Sequence, residues 1–141
     1  MDNLKINDDI DLVTYMDYRK MVNWPSMPED EAKCSLDHSA IKISIVKDNE
    51  TIGICRVVWD YGYTAYLADV IVDEKYRGQG IGKLLVNTAL DRLKSKMKPG
   101  WKMKVVLVAA AGKEDFYKKF GFVSRPNDHE GAGMNMTIEA F

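Results

Sequence analysis

The residues that most invite a chemical reading are Arg77-Gly78-Gln79-Gly80-Ile81-Gly82 and the Lys83 that follows. They lie between an apolar run ending Val70-Ile71-Val72 and a stretch with helical periodicity. Glycine lets a backbone approach a ligand closely, and a helix start presents unpaired N–H groups and the positive end of the helix dipole. Together these make an anion site, to which Lys75, Arg77 and Lys83 add positive charge. Three phosphate-loop patterns compete for it. A Walker-type loop needs a glycine, four residues, then Gly-Lys-Ser/Thr; here Leu84 follows Gly82-Lys83, and the first glycine would fall on Arg77. A dinucleotide fingerprint starting at Gly78 and Gly80 needs glycine or alanine at position 83, where Lys83 stands. The third pattern, Arg/Gln-x-x-Gly-x-Gly/Ala, is filled by Arg77, Gly80 and Gly82.

The elements that must position this loop are legible around it. Ile41, Ile43 and Ile45 alternate with Lys42 and Ser44, as in a strand with one apolar face. Lys47-Asp48-Asn49-Glu50 is turn chemistry, and a second strand from Thr51 to about Trp59 closes a hairpin. Tyr66 to Val72 is a third strand, apolar on both faces except at Asp69, as expected at a sheet centre. After the loop, Ile81, Leu85, Ala89, Leu93 and Met97 recur every four residues in a helix that Pro99-Gly100 stops. Val105 to Val108 reads as another buried strand, Lys113 to Phe120 as a short helix closed by Gly121, and Phe122-Val123 and Met134 to Ile138 as strands. Before residue 40, a weak helical pattern ends near Trp24-Pro25 and a short helix starts after Pro28, with Glu29-Asp30-Glu31 at its positive end. The expected fold class is α/β, a mixed sheet with one central crossover helix.

Composition sets the frame. The chain has 141 residues, fitting a single domain over 1–141. A chain of this size buries about 68–70% of its unfolded surface, so a core needs neither metal nor disulfide. The formal net charge is −1, which gives no global attraction to a polyanion. Neither Cys34 nor Cys55 belongs to a CxxC pair, so a zinc site is not expected and reduced thiols in the cytoplasm are. The N-terminus lacks a signal-peptide pattern, and no apolar run approaches the length of a membrane span.

The loop, with the strand before it and the run Tyr76-Arg77-Gly78-Gln79-Gly80-Ile81-Gly82-Lys83-Leu84-Leu85, resembles the pyrophosphate loop of the GNAT superfamily, the GCN5-related N-acetyltransferases. The downstream run Phe116-Tyr117-Lys118-Lys119-Phe120-Gly121-Phe122 resembles that family's second motif. The resemblance spans about residues 40–138 and implies acetyl-CoA as cosubstrate. It implies the pyrophosphate on the amides of Arg77, Gly78, Gln79, Gly80, Ile81, Gly82 and Lys83. It further implies the pantetheine arm along Val70, Ile71 and Val72, where two parallel strands splay apart. One departure stands out: many members carry an Asn about seven residues before the motif tyrosine, and here that position is Ala110.

Acyl transfer to an amine requires loss of an amine proton, polarisation of the thioester carbonyl and protonation of the leaving thiolate. The resemblance makes Tyr117 the acid, and a phenol with an ordinary pKa near 10 is protonated at neutral pH. Asp69 is the candidate base, since an unpaired carboxylate in an apolar strand is costly and such costs cluster at functional sites. The alternatives are that Asp69 pairs with Arg56 on the neighbouring strand, or that a water chain to Tyr66 carries the proton. His38 and His129 sit in polar, loop-like sequence, and His129 is the better catalytic candidate of the two. Trp59, Tyr61, Tyr63 and Tyr66 could wall a substrate ring or ammonium, though such residues more often serve sheet packing. Direct transfer needs no thiol nucleophile, and Cys55 reads as core packing.

The expected function is therefore transfer of acetyl from acetyl-CoA to the primary amine of a small molecule, without a metal. Nucleic acid and membrane partners are not expected, and a homodimer is left open. The rival readings are a non-catalytic acyl-CoA-binding or sensing module, acetylation of a protein or peptide amine, and a phosphate-ligand module unrelated to CoA.

Overall fold

A computed structural model describes residues 3–140. The chain divides after Leu107 into two compact units. The first holds a five-stranded sheet whose strands neighbour one another in sequence order. These are β1 (Leu4–Asn7), β2 (Ile41–Lys47), β3 (Glu50–Trp59), β4 (Thr64–Val72) and β5 (Lys104–Val106). The first four run antiparallel and β5 joins β4 in parallel. A parallel pair needs a crossover, which α3 (Ile81–Ser95) supplies. The mixed sheet and its crossover helix match the sequence expectation. The edge strand β1 does not appear in it, because Leu4-Lys5-Ile6-Asn7 offers only two apolar residues and is mostly exposed.

The register explains why each face is apolar. Residues directly opposite on antiparallel strands share a face, so the pairs Ile41–Val57, Ile43–Cys55 and Ile45–Gly53 line one side. Against that side pack Ile81, Leu85, Ala89 and Leu93 of α3, all buried at the expected four-residue spacing. The helix sits close: a Cβ built on Gly53 would lie 2.9 Å from Ile81 Cγ2 and 3.0 Å from Leu85 Cδ1. Gly53 thus sets how near the start of α3 lies to the sheet.

On the opposite side α1 (Leu12–Met21) and α2 (Glu29–Asp37) bury Tyr15, Tyr18, Ala32 and Leu36 in one cluster with Ile54 and Ile71. Asp11 caps α1 by accepting from the Thr14 N–H. Tyr18 donates to the Thr51 carbonyl at 2.7 Å and so ties α1 to β3.

The second unit contains α4 (Glu114–Lys118), where Phe116, Tyr117, Phe120 and Phe122 meet edge to face. It differs from the sequence expectation in its strands: among the described residues none forms at 122–123 or 134–138. Alternation of Met134, Met136 and Ile138 defines two faces, but a strand also needs a paired neighbour. The strand expected at 105–108 is likewise shorter. It spans Lys104–Val106 and pairs only with Thr64, Ala65 and Tyr66 at the start of β4.

Candidate active site

The pairing of β4 with β5 ends at Tyr66–Val106. Beyond it, among the described residues, β4 continues to Val72 with β3 as its one strand partner. Val70 and Val72, expected to be buried at a sheet centre, are only partly covered. A strand edge with unpaired main-chain groups can accept another extended chain. It is along this stretch that the family resemblance implies a pantetheine arm.

The chain then turns through a short 3₁₀ segment at Glu74–Tyr76, where Asp73 accepts from the Lys75 N–H. Gly78 and Gly80 follow at φ +74° and +84°, left-handed values that glycine adopts without a Cβ penalty. Gly80 is the N-cap of α3 and has no side chain with which to cap it. Among the described residues, the N–H groups of Gly78 to Lys83 donate to no backbone or side-chain acceptor, while Leu84 already bonds back to the Gly80 carbonyl. The loop therefore ends in a row of unpaired donors at the positive pole of a helix of 15 residues. Arg77 Nε donates to the Val72 carbonyl at 3.3 Å, and Gln79 Nε2 to that of Lys75 at 3.4 Å. These bonds shape the loop and leave its donors in place. Uncapped N–H groups, left-handed glycines and an open strand edge fit a pyrophosphate with an extended arm.

Asp69 stands in an unexpected setting. The β3–β4 register slips between Ile54 and Arg56, so that Asp69 and Val70 together oppose Cys55. Asp69 has φ +53° at this bulge. Its Oδ2 accepts from Tyr15 Oη at 2.6 Å and from Arg56 Nε at 2.6 Å, and Oδ1 lies 3.4 Å from an Arg19 guanidinium nitrogen. The Asp69 side chain is 9% exposed and those of Arg19 and Arg56 are 16% and 15%. A left-handed non-glycine residue costs about 1–2 kcal/mol, whereas a hydrogen bond to a charged group returns about 1.5–3 kcal/mol. The two short bonds thus outweigh the backbone strain. A base needs a lone pair turned toward the substrate, and these oxygens already serve three partners. The pairing with Arg56 is therefore realised, and a proton would have to reach Asp69 at the Oδ1 lone pair that these three contacts leave.

The remaining candidates sort themselves by setting. Burial, and then the Asp69 charge, push the Cys55 thiol up to about 12, and its Sγ faces the Leu85 carbonyl. Such a thiol is inert, in keeping with its reading as core. Burial and the Asp69 charge also raise Tyr66, so its phenol is neutral at pH 7 and suits donation better than proton removal. His38 is exposed with Nδ1 2.8 Å from the Cys34 carbonyl at the end of α2. His129 lies in an exposed turn, its N–H bonded to Asn127 Oδ1. Trp59 is buried and donates to the Gly62 carbonyl, while Tyr61 and Tyr63 are exposed at the hairpin tip. Tyr117 lies on α4, its ring edge-on to Phe116 and Phe122. The Ala110 carbonyl accepts from the Lys113 N–H just before that helix. Sequence reasoning missed Tyr15 and Arg19. Their i, i+4 spacing puts them on one face of α1, but nothing local says what that face meets.

Among the described residues no group of three or more metal-ligating side chains gathers, and no helix is long and apolar enough to cross a membrane. The sequence profile of the Acetyltransferase (GNAT) domain matches residues 40–124. An uncharacterized N-acetyltransferase ycf52-like protein of Prochlorococcus marinus is 30% identical over 127 residues, covering 87% of this chain and 68% of that protein. The ycf52 N-acetyltransferase of Porphyra purpurea is 28% identical over 114 residues, 78% of this chain but only 63% of the relative. In three dimensions the chain is similar to a probable acetyltransferase of unknown function from Staphylococcus aureus. The TM-score is 0.82 at 24% identity, and the match covers 96% of this chain and 99% of that one. The matched profile takes in β2 to α4 and with them the open edge, the glycine loop and the second motif, so the chain belongs to the GNAT acetyltransferase family.

Proposed function

We propose that the protein transfers an acetyl group from acetyl-CoA directly to a primary amine of a small molecule. The observation that carries this reading is the left-handed glycine loop, with its unpaired N–H donors at the start of α3, next to the open edge of β4. The loop amides from Gly78 to Lys83 would hold the pyrophosphate, with Arg77 beside them at the start of the loop. Val70, Ile71 and Val72 would pair through their main chains with the arm, bringing the thioester to the bulge. The amine attacks the thioester carbonyl: a C–N bond forms, the C–S bond breaks, the amine loses a proton and the sulfur gains one. Tyr117 would give that proton to the thiolate, a role supported by its place in the second motif. Water is the proton acceptor that the engaged state of Asp69 leaves in play. The family match runs across the boundary between the two units, which supports reading 1–141 as one acetyltransferase domain. Both cysteines are free, in keeping with a reducing compartment such as the cytoplasm.

The test is release of free CoA thiol, followed with a thiol reagent, across amino sugars, polyamines, amino acids, aryl amines and a lysine peptide. Amine-dependent release with at least one small molecule is expected. Release with the peptide alone would move the acceptor to proteins, and tight acetyl-CoA binding without release on any amine would favour a binding or sensing module.

A further inference from the structure

The bulge in β4 is held from outside the strand. Asp69 has the left-handed φ of +53° and is gripped by Tyr15 from α1 and Arg56 from β3 through the same oxygen. Arg19, one turn after Tyr15, lies against the other oxygen. Arg19 is fixed in turn: its guanidinium lies 5.9 Å from the Tyr15 ring centre and 5.4 Å from that of Trp24, and donates to the Pro25 carbonyl. Arg56 also donates to Ser39 Oγ, just beyond α2. Two other elements, α1 and β3, thus meet on one carboxylate of β4. That carboxylate sits at the point where β4 has left β5 and immediately before Val70–Val72.

We infer that Tyr15, Arg19 and Arg56 are positioning residues, which clamp Asp69 in its left-handed conformation and thereby aim the main chain of Val70–Val72 along the open edge of β4. The inference rests on the proposed use of that edge by the cosubstrate arm. The physical argument is one of alternatives. In a regular strand, removing the bulge would move Val70 by one register position and turn its main-chain groups to the other side of the ladder. A bulge seeded by glycine could relax either way. One pinned by two short bonds to a nearly buried carboxylate has a single state. Helix α1 becomes part of the device that shapes the strand, although none of its residues need touch the cosubstrate.

The test compares Tyr15→Phe, Asp69→Asn and Asp69→Ala with the wild-type chain. The readouts are amide NMR shifts of residues 69–72, acetyl-CoA affinity by calorimetry, and kcat and KM from about pH 6 to 9. Tyr15→Phe keeps the ring and deletes one oxygen. It should shift the amides of 69–72 and raise KM for acetyl-CoA about three- to tenfold, with kcat less affected, since misplacement even short of 1 Å is costly. Asparagine tolerates positive φ and still offers an oxygen to Tyr15 and Arg56, so Asp69→Asn should keep kcat within about threefold and leave the pH profile unmoved. Alanine offers neither, and Asp69→Ala should lose about tenfold or more. Unmoved amides in Tyr15→Phe would overturn the clamp. So would equal loss of kcat in the Asn and Ala variants together with a vanished limb of the pH profile, which would return Asp69 to the role of base. If Tyr15→Phe fails to fold, by circular dichroism, the contrast between Asn and Ala at position 69 decides alone. The amide shifts need no turnover, so they judge the clamp even should the wild type bind no acetyl-CoA, a result that would sink only the proposed function.

Discussion

Two left-handed stretches lie on and just after β4, and they are built in opposite ways. At Gly78 and Gly80 the conformation costs little, because there is no Cβ, and the side-chain bonds that shape the loop come from Arg77 and Gln79 within it. At Asp69 a residue with a side chain adopts it, and three residues from two other elements hold it there. The first solution is local and the second tertiary. The difference teaches what each needs to form: a row of backbone donors needs only the right few residues in sequence, whereas a bulge held by side chains needs α1 and β3 folded around it.

Under the proposed function, binding rests on the backbone and the proton chemistry on side chains, so the largest effect should fall on turnover. Tyr117→Phe should lower kcat by about 10²–10⁴-fold with little change in acetyl-CoA affinity, since a positioned acid typically contributes that much. Near-normal kcat at saturating substrates, where chemistry limits the rate, would leave Tyr117 as packing alone. Next comes the loop. Gly82 lies within α3 and outside the set of positive-φ glycines, so Gly82→Val should fold, yet crowd the donors and weaken acetyl-CoA binding about 10–100-fold, or about 1.4–2.8 kcal/mol. Unchanged affinity by calorimetry would remove the anion from the loop. Third, Gly53→Val inserts atoms where Ile81 and Leu85 already crowd the position. It should cost about 1–3 kcal/mol in denaturant unfolding, as overpacking does, because the start of α3 must lift from the sheet. A stable variant with unaltered acetyl-CoA affinity would show that the height of the helix over β3 does not matter to the loop.

The smallest effect concerns the two buried tyrosines of α1. Burial, followed by the Asp69 bond, raises the Tyr15 pKa, and burial, followed by the Asp73 charge, raises that of Tyr18. The folded chain therefore keeps both phenols neutral where the unfolded chain ionises them. Their contribution is complete below the unfolded value near pH 10 and shrinks as the pH climbs past it. Urea midpoints should fall as the pH rises beyond about 10, and more shallowly in Tyr18→Phe than in the wild type. Parallel curves for the two proteins would contradict the assignment.

Much of this was readable from residues in order. The alternation of Ile41, Ile43 and Ile45, and the four-residue stripe of α3, specify buried faces through periods that any strand or helix must obey. The loop was equally plain, because glycine spacing is itself the backbone instruction. The clamp was not. An aspartate in an apolar strand signals a cost to be met, and Arg56 could be named as a partner because neighbouring strands pair. Tyr15 lies 54 residues away on a weakly patterned helix, and no local rule reports what the face of a helix will meet. The strands expected at 122–123 and 134–138 mark a related boundary, since alternation describes one chain and a ladder requires two.

The unpaired donors ahead of α3 have one further consequence under the proposed function. They would grip the part of the cosubstrate that is identical before and after the acetyl group leaves. The spent carrier would then compete with the charged one for the same place on nearly equal terms. Throughput would follow the ratio of acetylated to free CoA in the surroundings more closely than the amount of either. A protein that holds its cosubstrate by the backbone would, in that sense, keep pace with the acetyl supply of the compartment it occupies.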